Sequence, residues 1–169
     1  PSFTKSKNNL PVKNKITLIQ KPIGTSKHPT IKKHQTHGLK FQNKAFKTFQ
    51  VNSNRPTFNE VHTLSSLSDK NKRIDFTQGV KRPHAYSVKN TRWDKVKDPT
   101  WQKYVREAAS LKGNTTASQK WKHIKGFNGN KISASTLVIP KLDKSPNARQ
   151  KLKEIKSYAR TKGVNVRMT

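Results

Sequence analysis

The chain has 169 residues, of which 37 are Lys or Arg and only 8 are Asp or Glu, so its formal net charge is +29. Apolar residues make up 30% of the chain, well below the roughly 45–50% of ordinary soluble domains, which excludes one large core over the whole length. Cysteine is absent, which excludes disulfides, thiol nucleophiles and cysteine-ligated zinc.

The first part of the chain is basic throughout. Residues 1–59 contain no carboxylate, and prolines interrupt them. Basic groups without internal ion pairs repel one another, and each proline disfavours helix at the residue before it. We therefore predict that residues 1–60 form a long extended, intrinsically disordered basic arm. Apolar residues between Leu39 and Phe49 recur at spacings that fit either a strand or a short helix, which predicts one local hydrophobic anchor.

The middle of the chain lacks a periodic pattern. Residues 61–97 are rich in Ser, Asn and Lys and are predicted to be a connector. The pair Asp98-Pro99 then offers a cap followed by a proline at the first helical position. Apolar residues at helical spacing predict a helix over 98–112.

The last part of the chain has the clearest pattern. An apolar run predicts a strand over 136–140, and Ser145-Pro146 begins a helix predicted over 145–162. Alternating apolar residues then predict a strand over 164–168. The predicted fold class is α/β, with a small C-terminal βαβ-containing domain over 98–169 that follows the arm and the connector.

The cations are mostly lysines, at 29 Lys to 8 Arg. Lysine contacts phosphate as a point charge, whereas reading of base edges favours arginine, so recognition of the nucleic-acid backbone is expected. Aromatic residues interleave with these cations and could stack on unpaired bases. The predicted RNA-binding residues are Lys5, Lys7, Lys13, Lys15, Lys27, Lys32, Lys33, Lys40, Lys44, Lys47, Arg55, Lys81, Arg82, Arg92, Lys120 and Lys122.

Motifs for catalysis and for cofactors are absent from the sequence. No dinucleotide-binding or phosphate-binding glycine loop occurs, so we expect no cofactor and no small-molecule substrate. The cluster of His28, His34 and His37 has no carboxylate or thiol near it in sequence to complete a metal site, and no metal is expected. One enzymatic alternative is a metal-independent ribonuclease of the tRNA-cleaving toxin type, with His34, His37 or His84 moving protons.

The layout favours a binding protein that is not an enzyme. A small α/β unit with an acid-free, Lys-rich arm is typical of structural proteins of ribosomes. We predict a lineage-specific or mitochondrial ribosomal subunit whose arm neutralises the phosphates of ribosomal RNA beside neighbouring ribosomal proteins, without a membrane. A ribosome-biogenesis factor is a further alternative. The expected compartment is the mitochondrial matrix, with the nucleolus or cytoplasm as the alternative.

Overall fold

A computed structural model describes residues 22–51, 55–65, 68–93, 95–142 and 144–169. Within these ranges there are three helices, α1 (Pro29–Val51), α2 (Asp98–Ala109) and α3 (Pro146–Thr161). The strands in the same ranges are β1 (Thr57–Ser65), β2 (Ser68–Gln78), β3 (His84–Val88), β4 (Thr115–Thr116), β5 (Ala134–Ile139) and β6 (Val164–Met168). None of the described helices is long and apolar enough to cross a bilayer.

All six strands belong to one mixed sheet with the order β4-β1-β2-β3-β5-β6. Strand β1 pairs antiparallel with β4 and β2, and β2 pairs antiparallel with β3. Strands β3, β5 and β6 are parallel. The fold is therefore α/β, with an antiparallel half and a parallel half that meet at β3.

Helices cover both faces of the sheet. On one face, α2 and α3 pack against Leu137 and Ile139 through a cluster that includes Trp101 and Ile155. On the other face, the C-terminal half of α1 packs against Phe76, Tyr86 and Val138. Because Val138 alternates with its two neighbours in β5, the two clusters lie on opposite sides of the sheet.

The C-terminal βαβ unit is present as predicted. Strands β5 and β6 lie side by side in parallel register, and α3 connects them. Ser145 caps α3 by accepting a hydrogen bond from the backbone N–H of Ala148 at 3.2 Å, and Ile155 and Ala159 are buried. The strand predicted over 164–168 has the predicted ends, whereas the strand predicted over 136–140 and the helices predicted over 98–112 and 145–162 differ from the observed elements by up to three residues at an end.

The cap predicted for α2 is wrong in detail. Asp98 lies in the helix, with Lys97 at the N-cap position. The Asp98 carboxylate instead accepts a hydrogen bond from the indole Nε1 of Trp101 at 2.9 Å. This bond fixes a core side chain of α2 rather than a free backbone N–H.

The prediction of an extended arm over 1–60 is wrong for the residues that the structure describes. Residues 29–51 form one 23-residue helix, and Phe46 and Phe49 of that helix are buried against the sheet. The mixed spacing between Leu39 and Phe49 is therefore helical. Packing of these two rings on the sheet stabilises α1 against the mutual repulsion of its lysines, which lie on the solvent side of the helix. Residues 1–21 lie outside the described ranges.

The prediction of a connector over 61–97 is also wrong. This range contains most of β1 and all of β2 and β3. Phe58, Val61 and Ile74 are buried in these strands, but they do not alternate regularly along the chain. A strand whose apolar residues fail to alternate is not detected by a search for a period of two.

Candidate functional site

The predicted RNA-binding residues that can be placed are spread over the surface. The lysines of α1 and the loop before it are all exposed, namely Lys27, Lys32, Lys33, Lys40, Lys44 and Lys47. Exposed side chains also belong to Arg55, Lys81, Arg82, Arg92, Lys120 and Lys122. The structure does not gather these residues at one place, and Lys5, Lys7, Lys13 and Lys15 lie outside the described residues.

The aromatic residues interleaved with the cations are core residues. Phe46, Phe49, Tyr86, Trp93 and Trp121 are all buried. Their rings contact one another, as in the stacked pair of Phe76 and Tyr86, whose centroids are 4.7 Å apart. These rings are therefore not available to stack on bases.

An irregularity in β1 and β2 marks a different site. Glu60 has a left-handed backbone, with φ of 49°, a conformation that costs a non-glycine residue free energy. Asp75 lies opposite Glu60, because the paired residues on either side are Asn59 with Phe76 and Val61 with Ile74. Both strands lose their alternation here, since Ile74 packs in a different cluster from Phe76.

The side chain of Asp75 fills a fork between two strands. The last paired residues of β2 and β3 in this direction are Phe76 and Tyr86. Beyond them, the Asp75 Oδ2 atom accepts a hydrogen bond from the backbone N–H of Val88 at 2.7 Å. The Asp75 carbonyl accepts a hydrogen bond from Gln42 Nε2 of α1 at 3.4 Å. The carboxylate is thus held at the carboxyl end of β3.

Burial decides the protonation behaviour of Asp75. Desolvation raises the pKa of this carboxyl, and the hydrogen bond from Val88 and the charges of Lys89 and Arg73 oppose the rise. The charge of Glu60 adds to it. Two carboxylates therefore interact unfavourably at the fork, and a cation placed between them would relieve the repulsion.

Lys89 supplies a cation beside Asp75. It follows Val88 directly, and its Nζ atom is 3.1 Å from Glu107 Oε2 of α2. The same Nζ atom lies 5.0 Å from the centre of the Tyr104 ring. Two residues before Lys89 in β3 is the buried hydroxyl residue Ser87. We call Glu60, Asp75, Ser87 and Lys89 the fork site.

Cations from two other elements contact Glu60. Its Oε1 atom is 3.5 Å from Arg73 NH1, and its Oε2 atom is 3.3 Å from Lys120 Nζ. Lys120 Nζ also donates a hydrogen bond to Asn59 Oδ1 at 2.8 Å. Lys120, one of the predicted RNA-binding residues, therefore contacts the fork site through Glu60.

A cleft opens next to the fork site. It has a volume of about 540 Å³ and is lined by the N-terminal half of α1 and by the residues that follow Lys89. Lys33 and Arg92 are the cations in its walls, and His34 and His37 are the histidines. The complete lining is Thr30, Lys33, His34, His37, Asn90, Thr91 and Arg92.

The third candidate histidine lies elsewhere. His84 is at the first position of β3, and its Nε2 atom is 2.6 Å from Thr136 Oγ1. Burial, with the charges of Arg55 and Arg167, lowers the pKa of His84. Because the cleft adjoins the opposite end of β3, the structure does not bring His84 together with His34 and His37.

Two carboxylates lie opposite each other in this fold, since the strand register places Glu60 across from Asp75. Among the described residues, no group of three His, Cys, Asp or Glu side chains is placed to hold a metal ion. Mg²⁺ usually keeps several waters and takes only one or two carboxylates together with substrate phosphates. The pair of Glu60 and Asp75 could not be found from the sequence, because 15 residues separate the two and neither lies in a motif.

Comparison with known proteins gives little likeness. No family model and no curated protein matches the chain. The solved structure of a CdiA-CT/CdiI toxin and immunity complex from Yersinia pseudotuberculosis is similar over 55% of this chain and 79% of that chain, at 13% identity and a TM-score of 0.37. The prediction of a ribosomal subunit is contradicted, because this similar structure is a toxin and immunity complex and not a ribosomal protein. The geometry of the fork site, and not this likeness, supports the function proposed below.

Proposed function

We propose that the chain is a metal-assisted phosphodiesterase that hydrolyses nucleic acid at the fork site. The sequence favoured a protein without enzymatic activity, because it has few carboxylates and no catalytic motif. The strand register places Glu60 opposite Asp75, and the charge of Lys89 acts on the Asp75 carboxyl. A basic surface around such a site attracts polyanions.

Each residue of the fork site has a role in this proposal. Glu60 and Asp75 would hold a hydrated divalent cation, and Ser87, one residue before Val88 in β3, would offer a further oxygen. A bound cation would supply polarisation of the phosphoryl oxygen and of the attacking water. Lys89 neutralises charge that develops on the phosphate in the transition state.

The reaction is an ordinary hydrolysis. Water adds to phosphorus while the bond from phosphorus to the leaving nucleoside oxygen breaks. The proton lost by the water balances the proton taken up by the leaving oxygen. Contacts of Glu107 hold the ammonium group of Lys89 near the fork site, at 3.1 Å from the Glu107 carboxylate.

The observation that carries the proposal is the Asp75 carboxylate itself. It is half-buried, it accepts a hydrogen bond from the N–H of Val88, desolvation raises its pKa, and it lies opposite a residue with a left-handed backbone. Both features oppose stability, and such costs are concentrated at functional sites. A purely structural role would be met equally well by an asparagine at position 75.

The test is degradation of plasmid DNA and of total RNA by the purified chain with Mg²⁺, with Mn²⁺ and with EDTA. We expect cleavage with a divalent cation and none in EDTA. Asp75→Asn and Lys89→Gln should each lower the rate at least about 100-fold. Persistent cleavage in EDTA, or no cleavage of either polymer, would contradict the proposal.

Matched control variants exist for both changes. Lys103 also contacts Glu107, at 3.9 Å, but it is not among the charges that act on Asp75. Lys103→Gln should therefore keep full activity. Glu154 is exposed on α3, and Glu154→Gln removes one carboxylate far along the chain from the fork site. Equal losses in the test and control variants would point to net charge rather than to the fork site.

A further inference from the structure

The two halves of α1 are exposed to different degrees. Its C-terminal half carries the buried residues Phe46 and Phe49 on the sheet, whereas residues 29–35 are all exposed. Gln42, near the middle, contacts the carbonyl of Asp75. The first half of α1 therefore continues past the fork site and forms one wall of the cleft.

That wall is a single helical face. Thr30, Lys33, His34 and His37 follow the spacing i, i+3, i+4 and i+7, which places them on one side of α1. Seven residues of helix span about 10.5 Å. The opposite wall is Asn90–Arg92, which begins one residue after Lys89.

The chemistry of both walls suits phosphate. Lys33 and Arg92 carry positive charge, and the Thr, Asn and His side chains offer further hydrogen-bond donors. No Asp or Glu belongs to the lining that the structure describes. A cavity with cations and donors but without acids attracts anions strongly.

We infer that the cleft binds the phosphate backbone of one polynucleotide strand next to the bond that the fork site cleaves. The wall of about 10.5 Å is long enough for contacts to successive phosphates of one strand. His37 precedes Gln42 by five residues, or about 7.5 Å of helix, so the wall begins within that distance of the residue that contacts the Asp75 carbonyl. The position of the scissile bond rests on the proposed function, but binding by the cleft does not.

The test uses binding without cleavage, so that it is independent of activity. The Asp75→Asn variant in EDTA is titrated into a fluorescently labelled oligonucleotide of 20 nucleotides, and the fluorescence anisotropy is followed from low to moderate salt. Adding the two substitutions Lys33→Gln and Arg92→Gln to this variant should weaken binding about tenfold at low salt. The slope of log affinity against log salt should be shallower by about 1.4–1.8.

The control removes the same charge elsewhere. Lys112 and Lys153 are exposed and lie outside the cleft lining, and Lys112→Gln/Lys153→Gln should change affinity less than twofold. Equal weakening by both double variants would overturn the cleft assignment in favour of diffuse attraction. A double variant in the cleft that binds the oligonucleotide normally, but loses binding to an acidic polypeptide such as polyglutamate, would overturn it in favour of a protein partner.

Two arms of the experiment separate the cleft from the fork site. If native protein cleaves nothing while the cleft variant still binds more weakly than its control, the proposed hydrolysis fails and the cleft assignment stands. If native protein cleaves with Mg²⁺, the cleft variant should raise KM for a long polymer and leave kcat within about twofold. A drop in kcat at unchanged KM would show that these residues do not act in binding.

Discussion

The C-terminal βαβ unit and the β1–β2 hairpin differ in the regularity of their backbone and in the chemistry of the side chains that they bury. In the βαβ unit, Ile155 and Ala159 are buried and the strands pair in continuous register. In the hairpin, Glu60 has a left-handed backbone and Asp75 is a half-buried carboxylate whose pKa is raised by desolvation. The regular unit supplies packing, and the irregular hairpin supplies chemically unusual groups. Stability and chemistry should therefore respond separately to substitution.

The largest effect is expected in the βαβ unit. Ile155 is fully buried against β5 and β6, so Ile155→Ala should lower the free energy of unfolding by about 2–5 kcal/mol. Leu152 is only half-buried, and Leu152→Ala should cost less. Urea unfolding followed by circular dichroism measures both, with exposed Lys153→Ala as the control. A small effect at Ile155 would mean that α3 does not carry the core.

The second effect concerns the fork site, where substitution should lower activity and leave stability unchanged. Asp75→Asn should lower the hydrolysis rate at least about 100-fold, or about 2.7 kcal/mol of transition-state stabilisation. Its melting temperature should not fall, because an asparagine oxygen still accepts the N–H of Val88 and no buried charge remains. Thermal melts and rate measurements on one preparation check both. A melting temperature that falls with the activity would assign Asp75 a structural role.

The sequence predicted regular elements well, because their side chains repeat. Ile155 and Ala159 lie four residues apart, which is a local helical repeat, and both are buried in α3. Lys151 shows the limit of such a repeat, because a lysine of an amphipathic helix ordinarily lies on the solvent side. Its Nζ atom instead donates hydrogen bonds to the carbonyls of Trp93 and Val96, each at 2.9 Å.

The fork site could not be predicted in the same way. Glu60 and Asp75 lie opposite each other only because β1 and β2 pair, and the left-handed backbone of Glu60 lies where the alternation that would have marked the strands is lost. A weak signal was present in the sequence. Asp75 is a carboxylate between Ile74 and Phe76, where a buried strand would ordinarily avoid charge.

The third effect tests whether Glu60 is strained. Glu60→Gly and Glu60→Ala both remove the ion pairs with Arg73 and Lys120, so the difference between them reports on the backbone. At φ of 49°, Gly should be more stable than Ala by about 1 kcal/mol. In a regular strand the order is reversed. Unfolding of the two variants in urea gives the sign of the difference in their free energies of unfolding. If the Ala variant is the more stable, the backbone of Glu60 is not strained.

The smallest effect concerns His84, which lies at the other end of β3 from the fork site. Burial and the charges of Arg55 and Arg167 lower its pKa in the folded state, so the unfolded chain binds more protons on this residue near its ordinary pKa of about 6.5. The free energy of unfolding should therefore fall as pH drops through and below about 6.5, with the contribution of His84 intact above that pH. His84→Gln keeps a polar atom for Thr136 but cannot be protonated. Subtracting its urea midpoints between pH 5 and pH 8 from those of the native chain isolates this residue from the other histidines. A difference that does not change with pH would mean that the pKa of His84 is not lowered in the folded state. A difference that grows towards low pH would show that burial, with the charges of Arg55 and Arg167, keeps His84 neutral in the folded protein.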